Sequence, residues 1–460
     1  MFKYTALCVA LFAPLSAHAA SDAAATNNED LRAIRAQIQQ LKESYEQRIS
    51  QLEQRLQQAE ADSKNAASIA SQAQAAAQPV SRPAASGEAA YNPAVALILS
   101  GTYGQMHRPE SAPTGFALSP NNTGYSKSFS LKESELGIAA NIDPQFRGVA
   151  TLALDPDGGV SVENGFVQTT ALGNGLNFKF GRYFSGLGYL NEQHAHAWDF
   201  VDQPLVYRAL WDNQLGEDGV QLKWLAPTDT FIELGAELGR GRGFPGSSRK
   251  KNGAGSGVLF AHIGDDIGVS SSWRAGISLH ETRRENASSD DVPDKNGNLV
   301  SDKFTGDSKT AGLDFIWKYA PDGNSSVTNF KLQGEYFRRR ESGMLTYDTA
   351  TANVTDSYAN TQSGWYLQGV YQFMPHWRAG LRYDQLDSGT AQIGALNAAN
   401  VISSYGYTPT RNTLMLDYSP SEFSRLRVQV AQDKSRQGLT DNQLFVQYLM
   451  SLGAHGAHQF

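Results

Sequence analysis

The feature that most constrains the fold is an alternation of apolar and polar residues that runs from about Pro93 to Phe460. It falls into segments of about ten residues, and the gaps between segments are by turns short and long. A closed antiparallel barrel that crosses an outer membrane has this layout, with tight turns at one end and longer loops at the other. No later stretch holds about 18 consecutive apolar residues, so we predict no membrane-spanning helix in the mature chain.

Sixteen segments alternate in this way, and an even number suits a bacterial single-chain barrel. In the segment 363–374, Trp365 and Leu367 share one face, while Gln368 and Gln372 share the other. A cationic side chain that faces hydrocarbon at mid-depth costs about 2–4 kcal/mol, so the apolar face should contact lipid and the polar face should line a wet lumen. The predicted strands lie near 94–106, 128–142, 146–155, 160–171, 176–187, 218–226, 230–240, 257–264, 269–284, 307–320, 326–341, 363–374, 376–387, 411–418, 424–434 and 441–454.

The gaps between the predicted strands assign the two ends of the barrel. Tight gaps rich in Pro, Gly, Asn and Asp follow even-numbered strands, and they predict the periplasmic turns. They are 143–145, 173–175, 227–229, 265–266, 321–324, 375–376 and 419–421. The long gaps predict outer loops at 107–127, 188–217, 241–256, 285–306, 342–362 and 388–410, whereas the gap 156–159 is short.

The N-terminus is typical of a secretory signal peptide over residues 1–19. Lys3 gives the positive start, 4–15 is apolar, and Ala17 and Ala19 form the small-residue cleavage site. The only cysteine, Cys8, lies inside this segment, so the mature chain offers neither disulfides nor thiolate metal ligands. The formal net charge of −7 does not favour a nucleic-acid partner.

Residues 28–62 predict an α-helical coiled coil, because apolar residues from Leu31 to Leu56 recur at spacings of three and four. A single amphipathic helix is the alternative interpretation. Residues 63–92 are rich in Ala, Ser and Gln and predict a low-complexity linker. The barrel would then occupy 93–460, and the coiled coil would lie in the periplasm below it.

The signal peptide, the sixteen segments and the terminal Phe460 resemble Gram-negative outer-membrane porins, in which a final Phe is part of the assembly signal. The coiled coil joined to a barrel is similar to the sucrose-porin and phosphate-selective porin groups, which are trimers. The stretch 192–200, EQHAHAWDF, with GVQLKW at 219–224, resembles a group labelled zinc-regulated outer-membrane proteins. One departure is the small, polar segment 453–460, which differs from the apolar final strand of typical porins.

The gap 188–217 carries most of the residues that could act on a solute. In trimeric porins the corresponding third loop folds inward, and paired opposite charges at such a constriction would filter solutes by size and charge. A loop that caps the outside surface is the alternative. The candidate constriction residues are Glu192, His194, His196, Asp199, Asp202, Arg208 and Asp212.

A zinc site is a further hypothesis for this loop. His194 and His196 would point the same way in an extended segment, with Glu192 and Asp199 as candidate carboxylate ligands. A surface loop explains the two histidines equally well. Zinc is the candidate cofactor, and no other is predicted.

Charged residues on the polar faces of the strands predict the lumen wall. Arg378 and Arg382 share one strand, and Arg425 and Arg427 share another, so the four could form a basic strip for anions; a generic solvated wall is the alternative. The candidates are Arg147, Lys179, Lys223, Lys331, Arg378, Arg382, Arg425 and Arg427. No nucleophile elbow, phosphate loop or dinucleotide fingerprint is present, so no enzyme activity is predicted.

Together these observations predict an outer-membrane channel for passive diffusion of small hydrophilic solutes, with anions or metal-related solutes as candidates. The alternatives are a zinc-regulated receptor or transporter for a metal or metal complex, and an outer-membrane anchor. Expected partners are membrane lipid, lipopolysaccharide, the barrel assembly machinery and two further copies in a homotrimer. The sequence leaves open the solute, the strand count, the oligomer number and whether the third loop enters the pore.

Overall fold

The structure is a computed structural model that describes Gln39 and residues 93–107, 112–116, 127–131, 134–154, 158–247 and 252–453. The predicted signal peptide and linker lie outside the described residues, as does the terminal Phe460. The predicted coiled coil also lies outside them apart from Gln39. The barrel is therefore the part of the chain described below.

The described chain forms eighteen β-strands. Their alternating apolar and polar residues suit a sheet that has a different environment on each face. The strands are Ala94–Gln105 (β1), Ser128–Ser130 (β2), Ser134–Asn141 (β3), Phe146–Leu154 (β4), Val160–Thr169 (β5), Leu176–Phe184 (β6), Gly216–Leu225 (β7), Phe231–Gly239 (β8), Ser256–Ile267 (β9), Ser271–Pro293 (β10), Leu299–Tyr319 (β11), Asn329–Tyr347 (β12), Val354–Met374 (β13), Trp377–Asp387 (β14), Gln392–Ile393 (β15), Thr410–Ser421 (β16), Ser424–Lys434 (β17) and Asp441–Gly453 (β18).

These strands form one closed antiparallel barrel. Each full-length strand pairs with its neighbours in the chain, and β1 pairs with β18 from Ala96 opposite Gly453 to Gln105 opposite Leu444. The short strands β2 and β15 add pairings beside β1 and β13 at the end that carries the longer connections, which we call the loop end. The other sixteen strands make the wall, which confirms the predicted sixteen-stranded antiparallel barrel.

The two faces of the wall have opposite character. On β13, Leu367 and Tyr371 are each 48% exposed on the outside, whereas Gln368 is 2% exposed and faces the interior. The same inversion recurs on β16, where Leu414 is exposed outside and Arg411 is buried inside. The predicted assignment of faces is therefore right, and charged and amide side chains of the wall lie on the inside.

Aromatic side chains form two rows on the outer face. A row near the tight turns contains Trp317, Phe330, Tyr371, Trp377 and Tyr418, among which Trp377 and Tyr418 have ring centroids 4.7 Å apart. A second row, which lies nearer the loop end and which we call the upper row, contains Tyr336, Trp365 and Tyr383. The two rows are six residues apart on β12, or about 20 Å along the strand. Leucines such as Leu332 and Leu367 lie between them.

Four neighbouring strands, β10 to β13, are 19 to 23 residues long. The predicted long loops 285–306 and 342–362 are therefore wrong, since the strands leave only 294–298 and 348–353 as connections. Polar residues that continue the pairing, such as Arg340 opposite Thr361, extend the strands beyond their apolar portion. The apolar alternation stops at that point. The prediction relied on this alternation and therefore placed the loops where the strands still continue.

Two tight turns also lie away from their predicted places. Asp265 and Asp266 belong to β9, and the turn follows at 268–270, where Gly268 has a φ of 64°. The left-handed conformation favours glycine, so Gly268 suits the turn better than the two aspartates do. Residues 419–421 likewise lie in β16, and the turn is 422–423.

One α-helix, Leu205–Trp211 (α1), lies in the connection between β6 and β7. Pro204 precedes it and fits the start of a helix, where a backbone donor is not needed. It ends at Asp212, whose φ of 53° and ψ of 48° are left-handed. Within the described residues, no helix is both long enough and apolar enough to span a membrane.

Candidate functional site: a loop inside the barrel

The connection 185–215 starts and ends at one point of the wall. The backbone N–H of Ser185 donates to the carbonyl of Leu215 at 2.9 Å. Asn191 then ties both ends together, because its Nδ2 donates to the carbonyls of Ser185 and Leu215 and its Oδ1 accepts from the N–H of Leu215. This base holds the connection, which we call the inner loop, as one closed unit.

The inner loop is folded into the barrel and is held by buried carboxylates of the wall. Glu237 on β8 accepts a hydrogen bond from the N–H of Gly186 at 2.8 Å. Glu335 on β12 accepts from the N–H groups of Tyr189 and Leu190 at 3.0 and 3.2 Å. Wall carboxylates thus satisfy loop backbone donors that would otherwise be buried without a partner.

Glu335 is also bonded by two tyrosines. The hydroxyl of Tyr207, on α1, donates to Glu335 at 2.7 Å, and that of Tyr366, on β13, donates at 2.6 Å. Around this group, Trp211 packs edge-on against Phe337 with ring centroids 4.7 Å apart. The apolar cluster beside it includes Leu187, Leu190, Leu205, Val206, Leu210, Val258, Phe260 and Leu386. One side of the lumen is therefore filled by α1 and its apolar contacts.

On another side, Asp199 of the inner loop meets the basic wall. It forms ion pairs with Lys331 at 2.6 Å and with Arg378 at 3.2 Å. Burial alone would raise the pKa of Asp199, but Lys331 and Arg378 outweigh it and hold the pKa well below its usual range. Asp199 is therefore a charged link between the loop and the strands β12 and β14.

Asp202 makes a second link of the same kind. It pairs with Arg382 at 2.8 Å and with Arg411, and its Oδ1 also accepts from Gln429 at 3.1 Å. Burial raises the pKa of Asp202, whereas Arg411 and Arg382 lower it more, so the carboxyl group is ionised. These three partners lie on β14, β16 and β17, so one loop carboxylate connects three strands.

The predicted basic strip faces the interior and binds the inner loop. Arg427 donates to the carbonyl of Trp198 at 2.6 Å, and Arg425 donates to the same atom at 3.3 Å. Within the described part of the chain, Arg425 forms no ion pair, whereas Arg378 pairs with Asp417. Arg425 is thus the member of the strip whose charge is least neutralised.

A third part of the lumen, beside β3 and β5, is acidic and contains the two histidines of the loop. His194 Nδ1 lies 3.0 Å from Glu163 and 3.2 Å from Glu135, and His196 Nδ1 lies 3.1 Å from Glu135. The two imidazoles stack with centroids 5.7 Å apart and lie on the same side, as expected. Burial lowers the pKa of His194, but hydrogen bonds to Glu135 and Glu163 raise it to about 10.

The remaining candidates are distributed around this site. Glu192 pairs with Lys223 at 2.8 Å, so neither Glu192 nor Asp199 lies among the histidines. Lys179 lies over the ring of Phe166 at 4.7 Å. Arg208 is buried on α1, and its charge helps to stabilise the ionised Asp202. Asp212 ends that helix, and Arg147 is exposed near a tight turn at the other end of the barrel.

A cavity of about 150 Å³ remains where the acidic and basic sides approach each other. His196 lines it from the loop, and Arg425 lines it from β17. Ile98 and Leu449 complete the wall, and the turn that contains Glu422 lies at its tight-turn end. The space beside the inner loop is therefore narrow. It is bordered by a histidine of the acidic side and by an arginine of the basic side.

Several contributing residues were not among the predicted site residues, and Arg411 and Glu163 show why. Arg411 lies at the edge of a predicted strand, although its parity with Asp417 would have placed it in the interior. Glu163 follows a register shift between Thr151 and Leu152, where β4 pairs with β5. A bulge breaks the alternation on which the prediction depends, so no signal in the sequence marked Glu163.

Solved structures with a similar course of the chain include outer-membrane proteins of three bacteria. A loop-deletion mutant of OmpT from Vibrio cholerae is 13% identical with a TM-score of 0.48, over 79% of this chain and all of that one. The outer membrane channel DcaP of Acinetobacter baumannii is 13% identical with a TM-score of 0.46, over 80% and 99% of the two chains. An anion-selective porin from Comamonas acidovorans is 11% identical with a TM-score of 0.47, over 78% and 99%.

No protein-family model matches the chain. A sequence relative is an uncharacterised protein of Aquifex aeolicus (strain VF5), which is 31% identical over 354 residues. The match covers 73% of this chain and 70% of the relative. The present chain therefore belongs to the same family as this uncharacterised Aquifex aeolicus protein.

Proposed function

We propose that the protein is an outer-membrane channel through which small hydrophilic solutes diffuse passively. The observation that carries this proposal is the inner loop, which is held inside the closed barrel by buried ion pairs such as Asp202 with Arg382. The loop leaves a narrow cavity between His196 and Arg425. A barrel of sixteen strands is wide enough for an aqueous channel. A loop that crosses its interior would set the size of solute that passes.

The outer face supports a location in a membrane. An apolar band of about 25 Å with aromatic girdles at both edges is typical of outer-membrane barrels. Here the two aromatic rows enclose leucines such as Leu367, and beyond the upper row Arg338 and Arg340 face outward and are exposed. The change from aromatic to cationic residues marks the edge at which lipid headgroups, including lipopolysaccharide phosphates, would begin.

For the solute, we propose small anions. Arg425 supports this preference, because it lines the cavity and has no carboxylate partner among the described residues. The acidic side carries its own cations in Lys223 and His194, which reduce its negative field. The preference should therefore be modest and should depend on one residue.

The test is conductance of the purified full-length protein in a planar bilayer. Stepwise conductance in potassium chloride is the expected result, and steps in groups of three would support a homotrimer. An absence of any steps from protein that inserts and keeps its barrel circular-dichroism spectrum would contradict the channel and favour a membrane anchor. Uptake that depended on inner-membrane energy would instead favour the receptor or transporter.

A further inference from the structure

The acidic side of the lumen contains a compact group of metal-ligating side chains. Glu135 comes from β3, Glu163 comes from β5, and His194 comes from the inner loop. One ligand atom of each residue lies within 4.8 Å of the others. The group thus joins two strands of the wall to the loop that narrows the lumen.

The spacing of these atoms suits one divalent ion. His194 Nδ1 is 3.0 Å from Glu163 Oε2 and 3.2 Å from Glu135 Oε2. Zinc binds nitrogen and carboxylate oxygen at about 2.0–2.2 Å, so two tetrahedral ligands lie roughly 3.3 Å apart. Small movements of the side chains would therefore place an ion between the three atoms.

A second observation comes from Asn164, which is 7% exposed and touches the other side of His194. Its Nδ2 lies 2.7 Å from His194 Nε2, and its Oδ1 has no hydrogen-bond partner among the described residues. Rotation of the amide would let Oδ1 accept from Nε2–H and would relieve this buried atom. In the neutral ring that hydrogen bond leaves the lone pair on Nδ1, facing the two carboxylates.

A lone pair that faces two carboxylates needs a cation between them. A proton can fill that position, and a metal ion fills it by releasing the proton. In metal sites the far nitrogen of a ligating histidine usually donates to a carboxylate, a backbone carbonyl or water, and an amide oxygen can accept in the same way. Asn164 is placed to do this for His194.

His196 completes the outer shell. Its Nδ1 lies 3.1 Å from Glu135 Oε1, the oxygen that is not directed at His194. His196 would therefore orient Glu135, while its ring stacks on His194. His194 and Glu163 retain 22% and 24% exposure of their side chains, so the group can be reached from the lumen.

We propose that Glu135, Glu163 and His194 bind a divalent transition-metal ion of the zinc class, with Asn164 and His196 as outer partners. Three protein ligands leave the fourth position of a tetrahedral ion open toward the lumen. The bound ion would hold the inner loop to β3 and β5, whereas Asp199 and Asp202 hold it to strands between β12 and β17. The proposal is independent of the solute and of the conductance.

The test is isothermal titration of the purified full-length protein with zinc chloride alone. One zinc per chain should bind to the wild type, and Glu163→Gln and His194→Gln should each weaken binding at least tenfold. Asn164→Ala should weaken it by about 10–100-fold, the usual effect of losing an outer partner. A cluster that merely attracts cations by charge would not respond to Asn164→Ala, because asparagine is neutral.

The matched control is His262→Gln. His262 Nδ1 lies 3.0 Å from Glu233 in the same lumen, but its other nitrogen faces Asp314, so the two carboxylates do not converge on one atom. This variant should bind zinc like the wild type. Folding of every variant is checked by its heat-dependent mobility in gels. If His194→Gln does not fold, the zinc affinity of Glu163→Gln, a change at a partly exposed position, decides the test.

Two outcomes would overturn the proposal. One is a folded wild type that binds no zinc, and the other is zinc binding that is unchanged in both Glu163→Gln and His194→Gln. The segment 453–460 contains two further histidines, His455 and His458. Zinc binding that disappears only when these two are replaced belongs to the second outcome. If the protein conducts ions but binds no zinc, the proposed metal site is wrong and the proposed channel function is unaffected.

Discussion

Asp202 and Arg382 form an ion pair of 2.8 Å inside the barrel, although 180 residues separate them in the chain. Both side chains are 1% exposed. Loss of one partner of a buried ion pair typically costs about 3–5 kcal/mol, because the other charge is left without compensation. This contact is therefore a principal attachment of the inner loop to the wall.

We expect Asp202→Asn to loosen the loop, since Arg382 and Arg411 would lose their shared carboxylate. The single-channel conductance should rise, and the midpoint of unfolding in guanidinium should fall. Asp307→Asn is the control, because Asp307 pairs with Arg283 on the exposed outer face. An Asp202→Asn channel with wild-type conductance and stability would show that the loop is held by other contacts.

The contribution of Asp202 to stability should depend on pH in one direction. Its pKa in the folded protein is held below the usual value, which is about 3.9 in an unfolded chain. A carboxyl group with a depressed pKa stabilises the fold above the unfolded value and loses this effect as the pH falls through the folded one. The stability difference between the wild type and Asp202→Asn should therefore be constant from pH 8 to about pH 5 and shrink below about pH 4. A difference that disappeared near pH 7 would contradict the assignment.

The hydroxyl of Tyr207 should matter because it donates to the buried Glu335. An intramolecular hydrogen bond contributes about 0.5–1.5 kcal/mol, so Tyr207→Phe should lower the free energy of unfolding by about that amount. Tyr336→Phe is the matched control, since Tyr336 lies on the outer face of β12 beside Glu335 and is 40% exposed. Equal losses in the two variants would mean that the hydroxyl group of Tyr207 adds nothing specific.

The membrane position can be tested on one face of β13. Leu367→Arg would place a cation in the middle of the apolar band. It should make folding into liposomes less favourable by about 2–4 kcal/mol. Thr361→Arg lies six residues away on the same face, opposite Arg340, and should cost about 0–1 kcal/mol. Similar costs at the two positions would place the bilayer elsewhere on the barrel.

Charge selectivity should follow Arg425. Reversal potentials in a potassium chloride gradient should shift toward cations in Arg425→Gln, because the cavity loses the cation that no described carboxylate pairs. Arg340→Gln, which removes a cation from the outer face, should leave the reversal potential unchanged. A wild type without anion preference would refute the proposed solute class and leave a non-selective channel.

The wall was predictable because one side of each strand contacts an apolar environment, and Leu367 and Gln368 on adjacent positions record this difference. The ends of β10 to β13 were not predictable, since beyond Arg340 the outer face becomes largely polar while apolar residues such as Leu345 and Tyr347 lie on the inner face. The alternation that marks a lipid-facing strand therefore ends although the hydrogen bonds continue. The loop composition identified Asp199 and Asp202 as candidates. Their partners come from β12 to β17, and such contacts depend on the closed barrel rather than on any local pattern.

The same limit applies to the histidines. The spacing of His194 and His196 placed them on one side, but Glu135 and Glu163 are distant in sequence, and a register shift moves the latter out of phase. The candidate carboxylates chosen by proximity in sequence, Glu192 and Asp199, pair with lysines instead. Proximity along a loop is a poor guide once that loop is folded into a barrel, because each neighbour meets a different strand.

The strands β10 to β13 are about twice the 9–11 residues that a strand needs to cross a bilayer. Beyond the upper aromatic row, their backbone groups remain bonded to the neighbouring strands. A protease binds its substrate as an unpaired, extended segment, and these strands offer none without first being separated. In intact cells this part of the surface should therefore resist externally added proteases, and cleavage should be confined to the connections at 294–298 and 348–353.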